Sequence, residues 1–128
     1  MSYTDIGRET GLSTSAAQQR VRRLEQRGVI KGYRAVLDSE ALGLMVTAFV
    51  AIKPFDPSQP DDAPERLSPI PEITSCYSVA GEHSYLLKVQ VATTADLESL
   101  LARIRAAGKV STHTTTVLSV PYEDRPEL

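Results

Sequence analysis

Apolar residues recur along this chain with two different periods, and the change of period divides it. Ala17, Val21 and Leu24 fall at i, i+4 and i+7, one face of a helix running from Ser13 to about Arg27. Ser13 stands where an N-cap is wanted, and Gly28 where a left-handed C′ residue closes a helix. Ahead of it, Tyr3 to Glu9 can form a shorter helix around Ile6, with Gly11 supplying the tight turn between the two. Val29 to Leu37 alternates loosely and reads as a linking strand that ends at the turn-like Asp38-Ser39-Glu40.

From there the period shortens. Met45 to Lys53 is apolar on both faces, as in a strand covered on two sides. Pro54 to Pro60 is a proline-punctuated loop. A short helix follows, with Asp61 and Asp62 at its start, Pro64 in its first turn, and Pro69 and Pro71 at its end. Ile73 to Ala80 and Tyr85 to Val91 read as strands joined around Gly81-Glu82-His83-Ser84. Thr94 is placed to cap an amphipathic helix with Leu97, Leu100, Leu101 and Ile104 on one face and Gly108 as its stop. Val110 to Val120 is rich in β-branched residues and predicts a last strand.

The second part therefore has the order β-α-β-β-α-β, a ferredoxin-like sandwich. Its two helices cover one sheet face, so the other is expected to be apolar and exposed, and such a patch marks an interface. A homodimer through the sheets, with higher assembly beyond it, is the expectation. The predicted division is 1–28 as a helix-turn-helix segment, 29–40 as a linking strand, and 41–128 as the sandwich.

Charge sharpens that division. Residues 1–37 hold seven basic and three acidic groups, whereas 38–128 hold seven basic and thirteen acidic ones. The basic end favours a polyanion and the acidic remainder does not. On the first long helix the face opposite Ala17 and Val21 carries Ser15, Gln18, Gln19, Arg22, Arg23 and Gln26, and Glu25 is the only acid between Glu9 and Asp38. A solvated helix normally mixes both signs for i,i+4 pairing. Long hydrogen-bonding side chains of one sign suit base edges in a major groove instead. Because recognition helices read bases with their N-terminal half, Ser15, Gln18, Gln19 and Arg22 are the base-contact candidates. Thr14, Arg20, Arg23, Arg27 and Lys31 are better placed to neutralise phosphates of double-stranded DNA.

The run from Gly11 to Tyr33, above all Arg20-Val21-Arg22-Arg23-Leu24-Glu25-x-x-Gly28-x-Ile30-x-Gly32-Tyr33, resembles the recognition helix and following strand of Lrp/AsnC (feast/famine) transcription regulators. Ile73 to Val89, with Gly81-Glu82-His83-Ser84-Tyr85-Leu86-Leu87, resembles the effector-binding domain of the same family. The resemblance implies an α+β chain: a partial winged helix-turn-helix, lacking the first helix of the family's DNA-binding domain, then the ferredoxin-like sandwich. Without that covering helix, Ile6, Leu12, Val21 and Leu24 are expected to be less protected.

It further implies a sequence-specific DNA-binding regulator whose assembly or DNA affinity responds to a small amino acid held at contacts between dimers. Carried over residue by residue, the effector site is Gly81, Glu82, Ser84 and Tyr85, with Thr112 and Thr114 of a neighbouring last strand. Ser84 departs from the aspartate of many relatives, which weakens the ammonium contact expected there; either Glu82 substitutes as the carboxylate or the effector preference is broad. The residues alone also allow a plain β-hairpin turn at Gly81. The alternative function is an amino-acid-sensing oligomeric partner with little DNA binding of its own.

Other classes fit less well. His83 and His113 are thirty residues apart with no cysteine or carboxylate pair at ligand spacing, so no metal site is expected. Cys76, the single cysteine, sits mid-strand and reads as a small core residue in a protein without disulfides. No phosphate-binding glycine loop is present, so neither an enzyme nor a cofactor is expected beyond an amino acid effector. RNA-recognition sandwiches share this element order, but they need stacked aromatics, and the chain has no Trp and two Phe. No segment approaches the roughly 20 apolar residues of a membrane span, and no signal peptide opens the chain, which points to the cytoplasm and to no membrane partner.

Overall fold

The computed structural model describes residues 14–33, 35 and 37–126. The expected helix over Tyr3 to Glu9, the Gly11 turn and the Ser13 cap lie outside the described residues. The chain divides into two compact units, Met1–Leu37 and Asp38–Leu128.

In the first unit, helix α1 spans Thr14–Gln26. Ala17 is fully buried and Val21 6% exposed, as the i, i+4 spacing requires; the reduced protection expected at Val21 is therefore not found, while Leu24 is half-buried. The helix ends in a Schellman motif: the Val29 N–H donates to Leu24 O (2.8 Å) and the Gly28 N–H to Glu25 O (3.0 Å). That geometry puts Gly28 at φ +74°, which glycine adopts without the Cβ penalty. The linking strand expected over 29–37 is not found among the described residues there, which are irregular. A strand needs a ladder partner, and no described strand pairs with this segment.

The second unit is a four-stranded antiparallel sheet with two helices on one face. Its elements are β1 (Val46–Pro54), α2 (Ala63–Leu67), β2 (Ile73–Ser78), β3 (Tyr85–Val91), α3 (Thr94–Gly108) and β4 (Val110–Thr116). The strand order β2-β3-β1-β4 is the ferredoxin-like order. Register fixes the faces, because side chains alternate across a sheet. Val50 lies opposite Leu87 on β3 and Thr114 on β4. Ala48, Val50 and Ile52 thus share a face with Leu87, Val89 and Val91, and all are 4% exposed or less. Ala63, Leu67, Leu97, Leu100, Ile104 and Val110 complete this core.

Two helix-end expectations are corrected. The cap of α3 is Thr93 rather than Thr94, its hydroxyl accepting from the Asp96 N–H at 3.1 Å. Gly108 does not stop the helix; it is the last helical residue, and Lys109 takes the left-handed position at φ 53°. Gly108 is there for space: a Cβ would meet the Leu67 and Val110 side chains at 3.3 Å. Arg66 Nη2 donates to Gly108 O (3.1 Å) and pairs with Asp62 at 2.8 Å, tying α2 to the end of α3.

The helix-free face is mixed rather than simply apolar. Phe49, Ala51 and Leu86 are half-buried there beside Lys88, Gln90 and His113, because polar residues occupy alternate positions of β3 and β4. Lys88 pairs with Glu123 of the C-terminal segment at 3.5 Å, and Arg125 stacks 4.0 Å above the Tyr122 ring. Cys76 is exposed rather than in the core, since β2 is an edge strand whose last three residues are all uncovered. What burial it has raises its thiol pKa, the opposite of an activated nucleophile.

Candidate functional site

The basic surface begins with what α1 hides. Its buried stripe turns the opposite side outward: Ser15, Gln19, Arg20, Arg22 and Arg23 are exposed, and Gln18 is half-buried. Arg27 and Lys31 extend the exposed set beyond the Schellman turn. Thr14 begins the helix, and its side chain is outside the described residues. Glu25 is taken up by a hydrogen bond from the Tyr33 hydroxyl. Among the described residues no ion pair engages Arg20, Arg22, Arg23, Arg27 or Lys31. Five cations with no ion-pair partner among the described residues direct their field at solvent, which suits an external polyanion.

The second candidate site forms where β1 ends and β3 begins. Residues 79–84 connect β2 to β3, with the Val79 N–H donating to Ser84 O (3.1 Å) and the Ser84 N–H to Ile52 O (2.9 Å). Gly81 sits in the loop at φ +143°. The loop brings Glu82 to Lys53, whose Nζ donates to Oε1 at 3.1 Å. That contact, and then the lysine's charge, hold the Glu82 carboxyl below the usual carboxylate range. Ser84 and Glu82 line a recess of about 370 Å³ with Lys53, Pro54, Pro57, Gln59 and Asp61. Tyr85 stands beside it, its hydroxyl donating to Asp61 Oδ1 at 2.9 Å, and this hydrogen bond raises the phenol's pKa.

The fold thus gathers Gly81, Glu82, Ser84 and Tyr85 in one place. It does not bring Thr112 and Thr114 of the same chain to the recess. They lie on β4 opposite Ile52 and Val50, where Thr112 accepts from Arg105 Nη1 at 3.2 Å.

Sequence reasoning missed Lys53, Gln59 and Asp61. They come from a loop held in place by Asp56, which accepts from the Ser58 N–H (3.0 Å) and hydroxyl (2.8 Å) and has its carboxyl pKa lowered by them. Two further bonds to Lys109 O, from the Phe55 N–H (3.2 Å) and Gln59 Nε2 (3.1 Å), fasten the loop to the end of α3. The fold also places His83 and His113 with ring centroids 6.0 Å apart, a proximity their spacing gave no sign of. Among the described residues no three His, Cys, Asp or Glu groups are arranged to hold a metal ion.

The Lrp/AsnC ligand-binding domain model matches residues 47–127, most of the sheet unit. The chain belongs to the Lrp/AsnC family of transcription regulators. A winged helix-turn-helix DNA-binding model matches residues 1–31. The chain is 54% identical over 127 residues to the HTH-type transcriptional regulator LrpA of Mycobacterium tuberculosis, covering 99% of this chain and 85% of that one. It is 34% identical over 122 residues to the leucine-responsive regulatory protein of Haemophilus influenzae, covering 92% and 74%. A solved feast or famine regulatory protein of M. tuberculosis in complex with L-methionine is similar at TM-score 0.79 and 55% identity, over 97% of this chain and 84% of that one. As a member of this family the chain is a DNA-binding regulator of transcription, not an enzyme. Among the described residues no helix is long and apolar enough to cross a membrane.

Proposed function

We propose that this regulator reads its operator with α1 and is tuned by a small amino acid bound at the Gly81–Tyr85 loop. The observation that carries the first half is the unopposed basic face of α1. Ser15, Gln18, Gln19 and Arg22 contact base edges in the major groove; Thr14, Arg20, Arg23, Arg27 and Lys31 contact phosphates and set register.

The second half is supported by the recess, where a cation and a carboxylate already stand 3.1 Å apart. A zwitterionic amino acid exchanges into that pair, its carboxylate meeting Lys53 and its ammonium Glu82. The relative bound to L-methionine favours an amino acid over other small molecules. Gly81, Ser84 and Tyr85 shape the pocket, and Thr112 and Thr114 of a neighbouring copy close it. The helix-free sheet face, with Phe49, Ala51 and Leu86 on it, forms a homodimer in the cytoplasm, and effector binding shifts the population of higher assemblies. The division of labour follows the sequence reading: 1–28 for DNA, 29–40 as connector, 41–128 for effector and assembly.

The test is fluorescence anisotropy of the chain on DNA from upstream of its own gene, at about 50 and 200 mM salt, with and without added L-methionine. Neutralising four phosphates per head, by Arg20, Arg23, Arg27 and Lys31, predicts an affinity loss on the order of a hundredfold per head across that range. L-Methionine is expected to change DNA affinity or oligomer size. Absence of DNA binding at both salts overturns the first half and leaves an amino-acid-sensing partner as the function. Binding indifferent to the amino acid overturns the second.

A further inference from the structure

The recess beside the Gly81–Tyr85 loop carries an unbalanced set of charges. Of its lining residues one is cationic, Lys53, and two are anionic, Glu82 and Asp61. Lys53 and Glu82 answer each other at 3.1 Å. Among the described residues Asp61 has no such cation. Among the described residues its one contact is the Tyr85 hydroxyl on Oδ1, a neutral donor, which leaves Oδ2 open. Of the nearby acids, Asp62 is paired with Arg66 at 2.8 Å and Asp56 accepts from the Ser58 N–H and hydroxyl, while Glu65, close enough to act on the Tyr85 phenol, does not line the recess. Gln59 gives its amide nitrogen to Lys109 O, so its carbonyl oxygen is the end left to accept. His83 and His113 lie on the Glu82 side. Asp61 and Gln59 line the same recess as the Lys53–Glu82 pair and add acceptor oxygens to it.

From this we infer that the recess selects amino acids with a cationic side chain over neutral and acidic ones, and that Asp61 is the residue that selects. The inference rests on the amino-acid reading above. The backbone ammonium and carboxylate common to all amino acids are answered by Glu82 and Lys53 and give no discrimination. A side-chain ammonium or guanidinium brings a positive charge to Asp61 and completes the charge balance of the recess. A side-chain carboxylate faces a lining that is already net negative, and like charge at close range in a partly enclosed site is repelled. A volume of about 370 Å³ is at the small end for ligand sites and suits a single amino acid.

The experiment is calorimetric titration of the full chain with L-lysine, L-norleucine and L-glutamate. Norleucine has lysine's chain without the terminal amine, so the lysine-to-norleucine ratio isolates the third charge. Lysine is expected to bind about two- to fivefold tighter than norleucine, the range of an ion pair at an exposed carboxylate, and glutamate more weakly than either. The ratio should shrink as salt rises.

Asp61→Asn keeps an oxygen for the Tyr85 hydroxyl and removes the charge, and should bring the ratio to about one. Asp61→Glu keeps the charge and should retain a preference. A merely structural role for Asp61 would lower all three ligands together and leave the ratio alone. Equal binding of lysine and norleucine by the unmodified chain, or a preference that survives Asp61→Asn, overturns this inference while the amino-acid reading stands. Failure of all three ligands to bind overturns both.

Discussion

Helices α1 and α3 are of similar length, 13 and 15 residues, and both are amphipathic, yet they use their polar faces in opposite ways. Helix α3 buries Leu97, Leu100, Ile104 and Gly108 against the sheet, and its outer arginines are answered within the chain. Arg103 pairs with Glu72 and Arg105 donates to Thr112. Helix α1 buries Ala17 and Val21, and among the described residues its arginines have no ion-pair partner. One helix completes its interactions inside its own unit. The other leaves its charges for a partner, and the mixture of signs on the outer face separates the two.

The comparison is most severely tested by Ile104→Ala. Ile104 is fully buried among core residues, so truncation loses transfer energy and leaves a cavity. A loss of about 3 kcal/mol is expected in urea unfolding. The outward arginines of α1 should behave differently. Arg22→Ala is expected to cost about 1–3 kcal/mol of affinity for the cognate operator and little on unrelated DNA. Arg23→Ala should weaken all DNA and reduce the salt slope by about 1. Both should leave stability within about 0.5 kcal/mol. If either arginine variant unfolded the chain as Ile104→Ala does, the contrast between the helices would collapse.

The way α1 ends offers a third test. Nothing lies within 4 Å of where a Cβ at Gly28 would sit, so only the backbone conformation at φ +74° resists substitution. Gly28→Ala should therefore cost about 1–2 kcal/mol, read as loss of helix signal at lower temperature, without a clash against any neighbouring residue. An unaltered melting profile would mean that the Schellman turn does not limit α1.

Which of these features the sequence could reveal follows from their range. Buried stripes on α1 and α3 and the Gly28 stop depend on neighbours within a few turns, and periodicity and turn chemistry disclose them. The strands were legible in type, and their register was not. His113 lies opposite Ala51, and Lys53 one step beyond the Ile52–Tyr85 pair, only because β1 pairs with both β3 and β4. The recess depends on that register together with a proline-rich loop fastened to Lys109, so Lys53, Gln59 and Asp61 had no local signature. Cys76 was misjudged for a related reason, because mid-strand position does not tell an edge strand from a central one. At the α3 cap, Thr93 and Thr94 are chemically equal candidates, and only the hydrogen bond to Asp96 separates them. The linking strand over 29–37 has the right alternation and no strand in the described chain to pair with.

The smallest expected effect probes how far α3 depends on its outer charges. Glu72 precedes β2 and pairs with Arg103, and that hydrogen bond holds its carboxyl below the usual range against a smaller opposing contribution from burial. A depressed folded-state pKa means the contribution is present above the unfolded value, near 4.5, and is lost as pH falls through the folded value. Arg103 is 49% exposed and Glu72 half-buried at 27%, so solvent still screens the contact and limits the pair to about 0.5 kcal/mol. Glu72→Gln should therefore lower stability by about that amount at pH 7. The difference from the unmodified chain should close as the pH is taken well below 4.5, where both carry a neutral group at this position. High salt should narrow it as well. A difference that persisted undiminished in acid and salt would show Glu72 acting through packing rather than charge. The outer face of α3 would then be as structural as its inner one, and the contrast with α1 would rest on the arginines of α1 alone.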